Sequence, residues 1–266
     1  MVKTTGNYKL YGPSPARVVL VHGGPGAAGE MAPVARVLAK HIGVIEPYQT
    51  GHSIADQTEE LRDAIDRHCR APVVLIGFSW GAWLSILVAS KFPELAEKLI
   101  LIGCPPLEAA HAGKIPETRL SRLDEEQKAA FLSLLDDLNK DDTGASEKTL
   151  RKLDRMVQKT DSFDPEDEYE DTVMPDPGLF RKIWAEAAEL RNKGVFVQAL
   201  HAIKVPVIGI HGDYDPHPAE GIRDYLQDPG KDREFTILEH CGHKPWTERR
   251  AGREFYELLL SHIPAR

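Results

Sequence analysis

The sequence predicts an α/β fold: a mostly parallel central sheet with helices on both faces, interrupted by an inserted helical cap. Three observations predict it. Short β-branched runs alternate with helical patterns, the signature of parallel strands joined by crossover helices. Several of those runs, Arg17–His22 (RVVLVH) and Pro72–Gly77 (PVVLIG) among them, are apolar on both faces, as strands sandwiched between two helix layers are. The alternation stops after Gly103 and resumes only at Val205.

Taken in order, strands are expected at Arg17–His22, Ile42–Ile45, Pro72–Gly77, Lys98–Gly103, Val205–His211 and Glu234–Leu238. Helices are expected at Met31–His41, Ala55–His68, Ala82–Phe92, Ala219–Gln227 and Gly252–His262. Between Pro105 and Ala202 the periodicity is helical. Phe131, Leu134, Leu135 and Leu138 recur at i, i+3, i+4, i+7. Leu150, Leu153, Met156 and Val157 form a second stripe, and Leu179, Ile183, Ala187 and Leu190 a third. The acidic stretch Asp161–Asp171 reads as a solvated loop. Residues 1–104 and 203–266 are therefore expected to form the core domain, with 105–202 as a cap (lid) insertion.

Composition narrows the function. The chain of 266 residues carries a net charge of -8, which argues against a nucleic-acid partner, since phosphate neutralisation needs a basic patch. Cys69, Cys104 and Cys241 are too few and odd in number for a disulfide framework and suit a reducing compartment. The N-terminus MVKTTGNYKLYG lacks the apolar core of a secretory signal, and no apolar run approaches the ~20 residues of a membrane span. The expectation is a cytoplasmic protein with no membrane partner; oligomeric state has no sequence signal.

Gly77-Phe78-Ser79-Trp80-Gly81 is a G-x-S-x-G placed after an expected strand and before an expected helix. That turn is so tight that both flanking positions need a missing side chain, and it holds the serine hydroxyl exposed. His22-Gly23-Gly24-Pro25-Gly26 follows the strand RVVLVH and can turn backbone N–H groups into a cleft. Acyl transfer needs two such donors for its oxyanion, here the N–H groups of Trp80 and Gly24. A serine also needs a base, itself oriented by a carboxylate, with both expected past the ends of late strands. His243 suits the base better than His240, which lies too close to the strand end. Asp215 suits the acid better than Asp213, which reads as a turn cap. No metal site is expected, because the eleven histidines include no H-E-x-x-H. Cys241 reads as packing. The ring of Trp80 is expected to border the acyl pocket and Trp83 to be core, while Phe180 and Trp184 are candidates for the substrate pocket.

With these motifs the sequence resembles the α/β-hydrolase superfamily and, more narrowly, the proline iminopeptidase-type serine hydrolases, which share HGGPG, G-x-S-W-G and the chain order Ser79, Asp215, His243. The resemblance implies an eight-stranded sheet, an oxyanion hole at Gly24 and Trp80, and no cofactor. It implies hydrolysis of a small ester or amide, the substrate being a small molecule or short peptide. A carbon–carbon bond hydrolase or cofactor-free lyase would use the same residues, and a non-catalytic ligand-binding protein is a further alternative. The sequence departs from that group at Phe78, where a second glycine is usual. So little chain precedes RVVLVH that an N-terminal edge strand is expected to be missing. Glu168, Glu170, Glu186 and Glu189 are the candidates for binding a substrate's amino terminus.

Overall fold

A computed structural model describes residues 3–4, 7–139, 147–166, 173, 176–227 and 230–264. Eight strands form one sheet: β1 (Lys3–Thr4), β2 (Tyr8–Tyr11), β3 (Ala16–Val21), β4 (Val44–Pro47), β5 (Cys69–Phe78), β6 (Ala96–Ile102), β7 (Val207–Gly212) and β8 (Arg233–Leu238). Their order is β1-β2-β4-β3-β5-β6-β7-β8. From β4 to β8 every pairing is parallel, while β2 runs antiparallel to both β1 and β4. The N-terminal strand pair expected to be incomplete is thus present. It is short, and β2 gains its place by pairing Tyr8–Tyr11 with Val44–Pro47.

Successive residues of the central strands point to opposite faces, and both faces are apolar. On one, Val19, Val21, Leu75, Leu99 and Leu101 pack under α2 (Ile54–His68) and α3 (Trp80–Lys91). On the other, Val18, Leu20, Val74, Ile76 and Ile100 pack against α1 (Ala32–Leu38) and residues that precede the C-terminus. Ser53 caps α2 by accepting the Asp56 N–H, which fixes where that helix starts.

Between β6 and β7 lie six helices and, among the described residues, no strand: α4 (Ala109–Ala112), α5 (Lys114–Ser121), α6 (Glu125–Asn139), α7 (Glu147–Asp161), α8 (Pro177–Asn192) and α9 (Val195–Ala202). The three stripes read from sequence lie on α6, α7 and α8. The segment is not uniform. Ile183 and Ala187 of α8 and Phe196 and Leu200 of α9 join the apolar layer that contains α3. Leu123, Phe131, Leu138, Leu150 and Leu153 form a separate cluster built on α6 and α7. The chain closes with α10 (Glu220–Leu226), β8 and α11 (Gly252–Ser261), whose Phe255 and Leu259 complete the second apolar layer. Among the described residues no helix is long and apolar enough to cross a membrane.

Candidate active site

Ser79 links the end of β5 to the first residue of α3. Its backbone, at φ 51° and ψ -120°, lies outside the regions that L-residues favour. The two glycines make this turn sterically feasible. A Cβ on Gly81 would sit 2.2 Å from the Val21 carbonyl oxygen, and one on Gly77 would sit 2.3 Å from that of Gly81. Ser79 is nearly buried but opens onto a cavity of about 590 Å³. Among the described residues its hydroxyl makes no hydrogen bond.

His243 and His217 line the same cavity. The loop after β7 carries Asp215 and the loop after β8 carries His243, and the two meet: His243 Nδ1 donates to Asp215 Oδ2 at 2.6 Å. Asp213 instead accepts the Cys241 N–H at 3.0 Å and so ties the two loops together. His240 has a left-handed backbone (φ 54°) and packs its ring on Phe163, outside the cavity wall.

Sequence reasoning did not single out His217. Its backbone N–H and its Nδ1 both donate to Asp215 Oδ1, at 2.9 and 2.7 Å, and its ring stacks on that of His243 with centroids 4.4 Å apart. His211 Nε2 lies 3.6 Å from Asp215 Oδ2 and bonds the His217 carbonyl oxygen at 2.8 Å. Burial opposes charge on Asp215, but the imidazoles of His243, His217 and His211 outweigh it and hold the carboxyl well below the usual range. Burial pushes His217 down to about 4, so its ring is neutral at pH 7. Asp215, His217 and His243 bring three donor atoms within 4.8 Å of one another. Both imidazoles direct their Nδ1 at the carboxylate. Burial raises the Cys241 thiol, so it is protonated and inert.

Gly24 and Trp80, the candidates for oxyanion donors, lie on different elements. Trp80 is the first residue of α3, so its N–H is one of those a helix leaves without an internal acceptor. In the HGGPG turn, Glu30 Oε2 takes the Gly23 N–H at 3.0 Å. Gly24, with φ 30°, lines the cavity and its N–H has no acceptor among the described residues. Lys244 faces Glu30 at 2.7 Å; burial alone would lower its pKa, and the carboxylate reverses that. His22 is buried and bonds the Gly23 carbonyl at 2.9 Å within its own turn.

Trp80 departs from its expected role, while Trp83 is core as expected and reaches the cavity as well. Trp80 is fully buried against Trp83 and Trp184, and its ring does not reach the cavity. Trp83 does reach it, stacked on Phe196 at 4.3 Å with its N–H on the Pro105 carbonyl. Phe180 and Trp184, the candidates for the substrate pocket, also line the cavity.

Residues 161–166 are laced to the His243 loop. The Asp161 carbonyl oxygen accepts the His243 N–H at 2.7 Å. Glu248 accepts N–H groups from Gly242, Phe163 and Asp164 at 2.9, 2.8 and 2.7 Å. Asp161, expected in a solvated loop, is instead buried, and its carboxylate is bonded by Arg119 Nε at 2.9 Å. Glu186 accepts the Ile54 N–H at the start of α2, and Glu189 pairs with Lys193, so both are engaged away from the nucleophile. Glu168 and Glu170 lie outside the described residues.

The structure is similar to several solved ones. The 2-hydroxy-6-oxo-6-phenylhexa-2,4-dienoate hydrolase of Rhodococcus sp. strain RHA1 is 17 % identical, with a TM-score of 0.65 over 96 % of this chain and 93 % of that one. A bromoperoxidase from Bacillus anthracis is 20 % identical, with a TM-score of 0.63 over 96 % and 93 %. A serine hydrolase from the polyaromatic-hydrocarbon-degrading bacterium Cycloclasticus zankles is 16 % identical, with a TM-score of 0.62 over 97 % and 95 %. At such identities the likeness concerns the fold. Residues 18–258 match the alpha/beta hydrolase family, and with that match spanning nearly the whole chain, the protein belongs to this family.

Proposed function

We propose that the protein is a serine hydrolase that cleaves a carboxylic ester through an acyl-enzyme. The observation that carries this reading is the Asp215–His243 hydrogen bond of 2.6 Å facing the cavity onto which the strained Ser79 opens. In this reading His243 takes the Ser79 proton as the hydroxyl attacks the acyl carbonyl. Asp215 holds the tautomer of His243 and stabilises the imidazolium. The N–H groups of Gly24 and Trp80 receive the oxyanion. His243 then gives that proton to the departing alkoxide oxygen as the C–O bond breaks, releasing the alcohol, and water repeats the attack on the acyl-enzyme, returning Ser79 and releasing the acid. The helices of residues 105–202 act as the cap, with Phe180 and Trp184 against the substrate.

An ester is favoured over an amino-acid amide. An iminopeptidase-like enzyme needs an acid free to hold the substrate's ammonium, and the two candidates among the described residues, Glu186 and Glu189, are bonded elsewhere. Turnover of p-nitrophenyl esters and of amino-acid p-nitroanilides, proline included, tests this with wild type and Ser79→Ala. Ester hydrolysis falling by about a thousandfold or more in Ser79→Ala is the expected result. Esters cleaved equally by both proteins would overturn the reading, and anilide cleavage alone would restore the peptidase. Silence on both would favour carbon–carbon cleavage.

A further inference from the structure

The cavity is larger than the reacting atoms of an ester require, and its excess lies away from Ser79. Leu135, Leu138, Leu150, Leu153 and Val157 belong to α6 and α7, and all of them line it. Leu138, Leu150 and Leu153 are also members of the only apolar cluster of those two helices among the described residues. The interior of α6–α7 and the far end of the cavity are therefore one space. Protein interiors are close-packed, with few voids larger than a water molecule. At a water-like volume of about 30 Å³ per carbon, the whole cavity has room for about twenty heavy atoms. Several polar side chains on the wall are already partnered: Arg119 with Asp161, Lys244 with Glu30, Gln158 with Asp154. Arg155, Lys159 and Arg191 also stand on the wall, but what a substituent meets between α6 and α7 is the run of leucine and valine side chains, which an aliphatic group matches.

We propose that the α6–α7 end of the cavity takes an aliphatic chain of about eight to twelve carbons carried by the substrate, which completes the core of those helices. The inference deepens the ester-hydrolase reading and rests on it for its chemistry. The chain enters from the Ser79 end, because the apolar space is continuous with the space beside His243. Its methylenes leave water for a wall of leucine side chains, so affinity rises with each carbon until the space is full.

p-Nitrophenyl esters from acetate to dodecanoate test it, with Ser79→Ala as the control for Ser79-dependent turnover. kcat/KM is expected to rise about tenfold or more from acetate to octanoate. Octyl acetate against ethyl octanoate tells a chain on the alcohol side from one on the acyl side; preference for either over ethyl acetate supports the proposal. Val157→Phe narrows the space at a half-buried position and is expected to shift the optimum to shorter chains, octanoate turnover falling relative to acetate. A readout free of chemistry is added: saturating 1-octanol should raise the melting midpoint by about 5 °C and slow amide exchange in α6 and α7. Ser79-dependent turnover that is flat or falls with chain length, without octanol protection of α6 and α7, would overturn this inference and leave the hydrolase standing. Absence of any ester turnover, with octanol protection intact in wild type and weakened in Val157→Phe, would overturn the hydrolase and leave the chain-binding space standing.

Discussion

Asp215 carries its charge among three imidazoles, and they act on it differently. His243 takes Oδ2, while His217 takes Oδ1 twice, through backbone and ring. The His217 ring therefore both anchors the carboxylate and forms a platform for His243. Replacing it by phenylalanine keeps the platform and the backbone bond but removes one charge-assisted hydrogen bond, worth about tenfold. His217→Phe should lower kcat by about that factor with KM nearly unchanged; unchanged kcat would leave His217 with packing alone. Because burial holds His217 down to about 4, an NMR titration should find it neutral at every pH above that. The positions of Ser79, Asp215 and His243 were legible because each follows a strand whose end the sequence marks. His217 was not, since its approach to Asp215 depends on how one loop curls over two residues. Which of Trp80 and Trp83 reaches the cavity was illegible for a different reason: α3 is buried from Trp80 through Ile86, and a helix that is apolar all round has no face to read.

At the scale of elements, the loop that carries His243 is held from outside the sheet. Glu248 gathers the N–H groups of Gly242, Phe163 and Asp164 while nearly fully buried, at 2 % exposure. Glu248→Ala would leave one buried and two half-buried donors without their acceptor and should cost about 2 kcal/mol or more by denaturant unfolding. It should also lower kcat, because the peptide next to His243 loses its anchor. Loss of stability below 1 kcal/mol would show that water replaces the carboxylate. Nothing in the run Pro-Trp-Thr-Glu announced this role, two of whose three partners lie more than eighty residues away. Strands and core helices were legible from periodicity, because the sheet's two apolar layers impose it. The pair β1 and β2 was missed because so few residues carry it. The helix α5 was missed because it buries no side chain and so shows no stripe.

At the scale of the molecule, the sheet carries a buried acid that the reaction does not use. Glu46 on β4 is fully buried; burial pushes its carboxyl up to about 7, against the opposing pull of bonds from the Tyr11 hydroxyl and the Met31 N–H. A carboxyl raised in the folded state binds more protons there than in the unfolded chain. Its contribution is therefore complete below about pH 4.5 and is lost as pH rises towards 7, by about 3 kcal/mol. Glu46→Gln, which cannot ionise, should gain about that much stability relative to wild type between pH 4.5 and 8; a pH-independent difference would show that Glu46 ionises at its ordinary value. The same sheet presents Ser79, Asp215 and His243 together at the ends of its strands, and the central claim is that Ser79 is acylated. The most direct measurement is the intact mass of the protein quenched within its first turnover of p-nitrophenyl octanoate, followed by peptide mapping. The account predicts a single octanoyl adduct on Ser79 that accumulates in His243→Ala too slowly to detect and is absent from Ser79→Ala. Turnover at the wild-type rate by Ser79→Ala, or an adduct on any other residue, would contradict it.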